Sequence, residues 1–225
     1  MLDTVMTLSP EFDVLIVDDG SPDGTGSIVK EKEKYSTRIH LLEREGKQGL
    51  GTAYIAGFKW CLERNYAYIF EMDCDFSHKP KDLVRLHAEL AENNCDMVVG
   101  SRYVNNVVNV VNWPMGRVLL SYFASAYVRF ITRMNVADST AGFVGYTNKL
   151  LNTINLDKIK FKGYAFQIEM KYTTHKLGFR LKEIPIIFTD REEGTSKMSG
   201  GIIREALIGV VQLRFKKFRP RKLVK

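Results

Sequence analysis

Cysteine is scarce in this sequence, and what there is does not pair. Cys61, Cys74 and Cys95 are scattered and show no C-x-x-C spacing. That leaves neither a disulfide framework nor a cysteine-rich zinc site. Three small core residues in a reducing, intracellular setting are expected instead. No apolar run approaches the roughly 20 residues that a bilayer span needs. The opening MLDTVMTLSPEFD has acids and no basic start, so it does not read as a secretory signal. Neither a G-x-G-x-x-G fingerprint nor the G-K-[ST] of a phosphate-binding P-loop occurs in the glycine-rich stretches.

Acid is also absent from the last stretch of chain. From 214 to 225 there are seven basic residues (Arg214, Lys216, Lys217, Arg219, Arg221, Lys222, Lys225) and no Asp or Glu. The formal net charge is +7, so the rest of the chain balances at 26 basic and 26 acidic residues. A nucleic-acid-binding face would interleave cations with aromatics over a surface, whereas this excess sits at one end. The preceding GIIREALIGVVQLRF has apolar residues at helical spacing (Ile203, Leu207, Val210, Leu213). An apolar helical face that runs into a cationic cluster suits a membrane surface. A core helix with a solvated basic end fits the same pattern.

The chain has 225 residues, 45% of them hydrophobic, enough for one globular domain with a full core. Apolar runs alternate with helical patterns. Strands are expected in FDVLIVDDG, RIHLLER, AYIFEMD and CDMVVGSRY. Helices are expected from Gly24, from Leu50 and from Lys79. This is an α/β sheet with helices on both faces, and such sheets bind ligands beyond the carboxyl ends of their strands. After Tyr103 comes a loop, then a long helix from Met115 to Met134. A strand (AGFVGYTN), a helix (YAFQIEMKYTTHKLG) and a strand (RLKEIPIIFTD) follow, then the polar loop REEGTSKMSGG. We expect one domain over 1–198 and an amphipathic helix with a basic tail over 199–225.

Both acid pairs of the first half, Asp18–Asp19 and Asp73–Asp75, fall at strand ends. Asp73-x-Asp75 supplies two hard oxygen ligands of the kind Mg²⁺ and Mn²⁺ prefer when they bridge to substrate phosphates. Acids at a strand end also cap helices, so spacing alone leaves both roles open. VDDGSPDGTGSI combines Asp18, Asp19 and Ser21 with glycines that permit close backbone approach to a nucleotide. It reads equally as a turn ahead of a helix. EREGKQGLGTAY brings Arg44 and Lys47 to a glycine-rich helix entrance suited to phosphate, or is an ordinary basic loop. His78 reads as a local structural residue rather than a base.

Taken in order, several pieces resemble the polyprenyl-phosphate (dolichol-phosphate) mannose synthases of family 2, the inverting glycosyltransferases. They are VDDGSPDGT, REGKQGLGTAY, MDCDFSH, VVGSRY, W-x-x-x-R-x-x-x-S (Trp113, Arg117, Ser121), D-x-T-x-G-F (Asp138 to Phe143), GYAFQIEM and DREEGTSKM. The resemblance runs from about Phe12 to Met198. It implies the GT-A fold, a mixed and mainly parallel sheet flanked by helices, acting on the cytoplasmic face of a membrane. It implies mannose transfer from GDP-mannose to a polyprenyl phosphate with inversion, and alternatively glucose transfer from a UDP-sugar or an inactive nucleotide-sugar-binding protein.

By the same resemblance, Asp73 and Asp75 hold Mg²⁺ or Mn²⁺, while Asp18, Asp19, Arg44 and Lys47 face the donor. Arg102, Arg117, Ser121, Arg191, Ser196 and Lys197 grip the acceptor phosphate, and Asp73, Asp75 and Arg117 are the catalytic group. Some relatives place a Gln metal ligand where this chain has Ser77. The Q-x-x-R-W segment of processive polysaccharide synthases is missing. A further strand ending in a P-T-Y-N-E-like segment is expected ahead of Phe12. MLDTVMTLSP reads as the end of the helix that follows it, which leaves a central sheet position without its strand.

Overall fold

The structure is a computed structural model that describes residues 1–9, 11–104, 107–163, 165–190 and 200–221. The side chains of 200–206 fall outside it. After a short helix α1 (Leu2–Met6), the chain alternates β1 (Val14–Asp18), α2 (Thr25–Glu33), β2 (Ile39–Glu43), α3 (Leu50–Glu63), β3 (Tyr68–Glu71), α4 (Asp82–Ala91) and β4 (Met97–Ser101). All the expected strands and helices of this half are present. Their cause is visible residue by residue. In α4, Leu83, Leu86 and Leu90 recur on one face and are buried. In β4, Met97, Val98 and Val99 are sealed on both faces, as a central strand between helix layers must be.

The second half adds β5 (Val110–Val111), α5 (Met115–Thr132), β6 (Val144–Thr147), α6 (Asn148–Thr153), α7 (Ala165–Lys176), β7 (Leu181–Pro185), β8 (Phe188–Thr189) and α8 (Gly200–Phe215). The main sheet runs β3-β6-β4-β7. β6 is antiparallel to both β3 and β4, so those two strands point the same way, and β7 is parallel to β4. β6 fits between its neighbours because residue 145 is glycine. A Cβ there would lie 2.5 Å from the Phe70 ring and 2.9 Å from Val98.

β1 and β2 form a separate parallel pair. No ladder joins β1 to β3 among the described residues. α3 bridges the two sheets. Gly57 packs on Leu15 and Val17 of β1, and Phe58 lies in the core with Ile69 of β3.

Three expectations need correction. The single strand expected over 180–190 is two, because the chain leaves the β4 edge at Pro185. Phe188 and Thr189 pair instead with Val110 and Val111, inside a segment expected to be loop. Cys74 is exposed rather than a core residue. The helix α8 also turns a different face outward. Val210 and Leu213 are buried against α5 and α7, and Leu207, Ile208, Val211 and Phe215 are exposed. The α8 end is tied down further by Lys216, whose Nζ donates to the Lys158 carbonyl at 2.9 Å, and by Phe218 against Tyr172.

Candidate active site

Four strand ends converge on one side of the molecule. β1 and β2 deliver Asp18, Asp19 and Arg44, β3 delivers Asp73 and Asp75, and β4 delivers Arg102. Asp18 turns its carboxylate into its own loop, accepting the Gly20 N–H at 3.2 Å and the Ser21 N–H at 3.1 Å. A hydrogen bond from the Ser21 side chain, helped by those two N–H groups, holds its carboxyl below the ordinary range. Asp18 therefore shapes the turn. Asp19 takes a two-pronged ion pair from Arg44, at 2.7 Å from Nε and 2.8 Å from Nη2. Arg44 Nη1 also donates to Thr52 Oγ1 at 3.0 Å. Lys47 stands exposed on the loop ahead of α3.

The first turns of α3 join this region to the acids of β3. Tyr54, two residues after Thr52, donates its hydroxyl to Asp73 Oδ1 at 3.3 Å. α3 can sit this close because residue 51 is glycine, where a Cβ would meet the Phe161 carbonyl and the Phe166 ring at 2.7 Å. Asp75 is exposed and is oriented from within its own loop. Its Oδ1 accepts the Ser77 N–H at 3.0 Å and the Ser77 hydroxyl. Ser77 is buried, so it aims Asp75 rather than adding a ligand of its own. Two hard carboxylates on an accessible strand end are the ligand type that Mg²⁺ or Mn²⁺ takes together with a diphosphate and water.

On the other side lies a cluster of arginine and aromatic rings. Arg102 is nearly buried and forks onto Asp138, with Nε and Nη2 each 2.7 Å from a carboxylate oxygen. Burial raises the Asp138 carboxyl, but the Arg102 guanidinium outweighs it and the net direction is down. The Trp113 ring holds both arginines. The Arg117 guanidinium carbon is 4.1 Å from its centroid and that of Arg102 is 5.3 Å away. Arg117 also donates through Nη1 to both oxygens of Asp190 at 2.9 Å. Ser121 follows one turn later on the same helix. Arg191, Ser196 and Lys197 lie outside the described residues.

The segment after Asp75 connects the two sides. His78 is buried between Phe143 and Phe188. Burial, reinforced by Arg102, pushes its imidazole down to about 4, so it stays neutral and holds a proton too weakly to be an effective general base at ordinary pH. The Ser77 carbonyl accepts the Thr189 N–H at 3.1 Å.

Sequence reasoning did not find Glu71, Tyr54, Asp190 or Lys171. Glu71 carried one usable signal, a charged residue inside an otherwise apolar strand, whereas Lys171 lies in a helix that also carries Gln167, Glu169, Thr173 and Thr174. Tyr54 and Asp190 carried none.

This arrangement of strand ends on a mixed sheet defines a GT-A-type glycosyltransferase. Residues 1–158 match the family described as Glycosyl transferase family 2, and the chain belongs to that family. It is 47% identical over 203 residues to the undecaprenyl-phosphate mannosyltransferase of Micrococcus luteus, covering 90% of this chain and 82% of that protein. To the polyprenol monophosphomannose synthase of Mycolicibacterium smegmatis it is 44% identical over 204 residues, covering 90% and 76%. Its fold is similar to that of glucosyl-3-phosphoglycerate synthase from Mycobacterium tuberculosis, solved with Mn²⁺, UDP-glucose and phosphoglyceric acid. There the TM-score is 0.65 at 17% identity, covering 94% of this chain and 74% of that one. The same enzyme solved with Mg²⁺ and UDP gives a TM-score of 0.64, also at 17% identity, covering 94% and 73%.

Proposed function

We propose that this glycosyltransferase moves mannose from GDP-mannose to a polyprenyl phosphate, with inversion at the anomeric carbon. The observation that carries the reading is the pair of arginines, Arg102 and Arg117, held on one indole ring beside the strand end that bears Asp73 and Asp75. Planar guanidiniums grip a phosphate monoester through paired hydrogen bonds. The names of the two curated relatives support the same acceptor and sugar.

The chemistry asks little of acid–base groups. A phosphate monoester is already anionic near neutral pH, so its oxygen needs positioning rather than deprotonation. That oxygen forms the new bond to C1 of the sugar as the C1–O bond to the diphosphate breaks, and GDP departs with the electron pair. Attack opposite the leaving group gives the β-linked product. Asp73 and Asp75 would hold Mg²⁺ or Mn²⁺, whose charge stabilises the departing diphosphate. Asp19 and Arg44 orient the donor end, and Arg102, Arg117 and Ser121 orient the acceptor, with Arg191, Ser196 and Lys197 assigned to the same phosphate.

The acceptor's lipid tail calls for work at a membrane surface. No described helix is long and apolar enough to cross a bilayer. A two-helix apolar face is available instead. α5 exposes Met115, Leu119, Phe123 and Phe130, and the adjacent α8 exposes Leu207, Ile208, Val211 and Phe215. The helices touch, with Tyr127 donating to the Leu207 carbonyl at 3.1 Å. At their far end a groove of about 580 Å³ brings Phe130, Val211 and Phe215 together with Arg129, Arg133 and Arg214. Apolar rings beside cations match the boundary of an anionic bilayer, taken here as the cytoplasmic leaflet.

The test is transfer of labelled mannose from GDP-mannose to a long-chain polyprenyl phosphate with Mn²⁺ present. A β-linked prenyl phosphate sugar is expected. Exclusive use of UDP-glucose would replace the donor, and no transfer from any sugar nucleotide would overturn the reading.

A further inference from the structure

Every side chain of α7 from Ala165 to Thr174 is buried, and one of them is a lysine. Lys171 has no exposed surface. Its Nζ donates to the Ala141 carbonyl at 2.7 Å. Ala141 lies three residues before Val144, where β6 enters the sheet between β3 and β4. The charges that act on Lys171 most strongly are Glu71 on β3, Asp138 ahead of β6, Glu183 on β7, and Arg102 at the end of β4.

Those charges belong to both halves of the site. Glu71 stands two residues before Asp73, is almost fully buried, and accepts the Tyr146 hydroxyl at 2.8 Å. Asp138 carries the fork of Arg102. Glu183 accepts the N–H groups of Ala137 at 2.6 Å and Asp138 at 2.9 Å, which anchors that loop to β7. A lysine removed from water is retained only where it is paired and hydrogen-bonded. Here its hydrogen bond falls on Ala141, midway between Asp138, which carries the Arg102 fork, and Val144, which pairs with Glu71 of β3.

We propose that Lys171 is a positioning residue for sugar transfer: its buried ammonium pins the entry of β6 and sets the separation between the strand end carrying Asp73 and the loop that fixes Arg102. The role rests on the transferase reading of that site. Lys171 touches neither substrate. It holds two binding halves in register, so its loss registers in turnover more than in either binding step.

Charge balance alone would explain a buried lysine equally well, and a double variant separates the two. Lys171→Met removes the buried ammonium and its hydrogen bond to Ala141 and is expected to melt lower. Lys171→Met with Glu71→Gln also replaces the carboxyl that burial pushes up to about 8, so neither position keeps an ionisable group. The proposal expects this pair to regain most of the melting temperature while kcat stays at least tenfold down, with the KM values of donor and acceptor within about threefold of the parent. It also expects faster amide hydrogen exchange over residues 138–143. Recovery of kcat together with stability, or unchanged exchange in that segment, would overturn the role. The exchange measurement needs no turnover. If the parent chain transfers no mannose, the transferase reading falls while Lys171 is still judged by exchange.

Discussion

Arg102 and Asp138 meet in a two-pronged ion pair with almost no solvent access, and the Arg102 backbone N–H donates to the same carboxylate at 3.0 Å. The pair fixes the plane of a guanidinium whose Nη2, already on Asp138, also donates to Thr140 Oγ1 at 2.9 Å. An arginine so anchored loses little side-chain entropy when a phosphate arrives, and much of its orientation is set before binding.

Removing one member of a buried pair leaves the other uncompensated. Asp138→Asn is therefore expected to destabilise the fold by about 3–5 kcal/mol and to lower acceptor use. The Asp138 carboxyl is depressed in the folded state, so its contribution is present above the unfolded value near 4 and is lost as pH falls through the lower folded value. Urea unfolding of parent and variant at pH 7 and near pH 3 checks this. Their stability gap should be wide at pH 7 and narrower in acid.

Donor binding should depend on a divalent cation. Calorimetric titration of GDP-mannose is expected to show at least tenfold tighter binding with Mn²⁺ than with chelator. Asp73→Asn and Asp75→Asn should each remove most of that gain. Ser77→Ala should cost less, because it frees Asp75 to turn without removing a carboxylate. Equal affinity in all cases would argue against a metal on this strand end.

Much of the first half was legible in the sequence because α/β alternation writes each strand as an apolar run that ends in a chemistry-bearing residue. Asp73, Asp75, Arg102 and Arg44 all lie where the runs stop. Residues 108–114 and 186–190 were less legible. β5 and β8 have two residues each and pair across nearly eighty positions of sequence, a contact with no local signature. The α8 face was misassigned for a related reason. Ile203, Leu207, Val210 and Leu213 share one helical stripe, yet the helix is apolar on more than one side. Only the packing of α5 and α7 decides that Val210 and Leu213 point inward. Lys171 sat unnoticed in YAFQIEMKY because a lysine on a helix is ordinarily solvated, and only the layers around α7 bury it.

Arg117 should serve the acceptor. It lies on the Trp113 ring at 4.1 Å and against Asp190, away from the Arg44–Asp19 pair. Arg117→Ala is expected to raise the KM for prenyl phosphate or lower kcat/KM at least 100-fold while leaving GDP-mannose affinity within about twofold. Arg117→Lys should recover little, since a point charge neither forks onto phosphate nor stacks flat on an indole. Steady-state kinetics with each substrate varied, alongside donor calorimetry, separates the two sites. Loss of donor affinity with acceptor use intact would reverse the assignment.

The last prediction concerns what holds the enzyme on its lipid substrate's surface. Phe130 and Phe215 are each about 80% exposed and line the same groove as Arg129, Arg133 and Arg214. α5 also begins at the acceptor cluster, so Arg117 and Arg129 lie about 18 Å apart along one helix. A bilayer touching this face would keep the prenyl chain in the membrane while its phosphate reaches Trp113 and Arg117. Full burial of a phenylalanine is worth about 1.5–3 kcal/mol, so Phe130→Ser with Phe215→Ser should weaken vesicle binding by about two to four orders of magnitude at any salt concentration. Arg133→Gln with Arg214→Gln should weaken binding to anionic vesicles alone, and chiefly at low salt, because headgroup attraction is screened within a Debye length. Sedimentation with phosphatidylcholine vesicles, with and without phosphatidylglycerol, reads both effects. If the aromatic pair changes nothing while removal of 217–225 abolishes binding, contact is made by the basic tail and the α5–α8 face is not the docking surface.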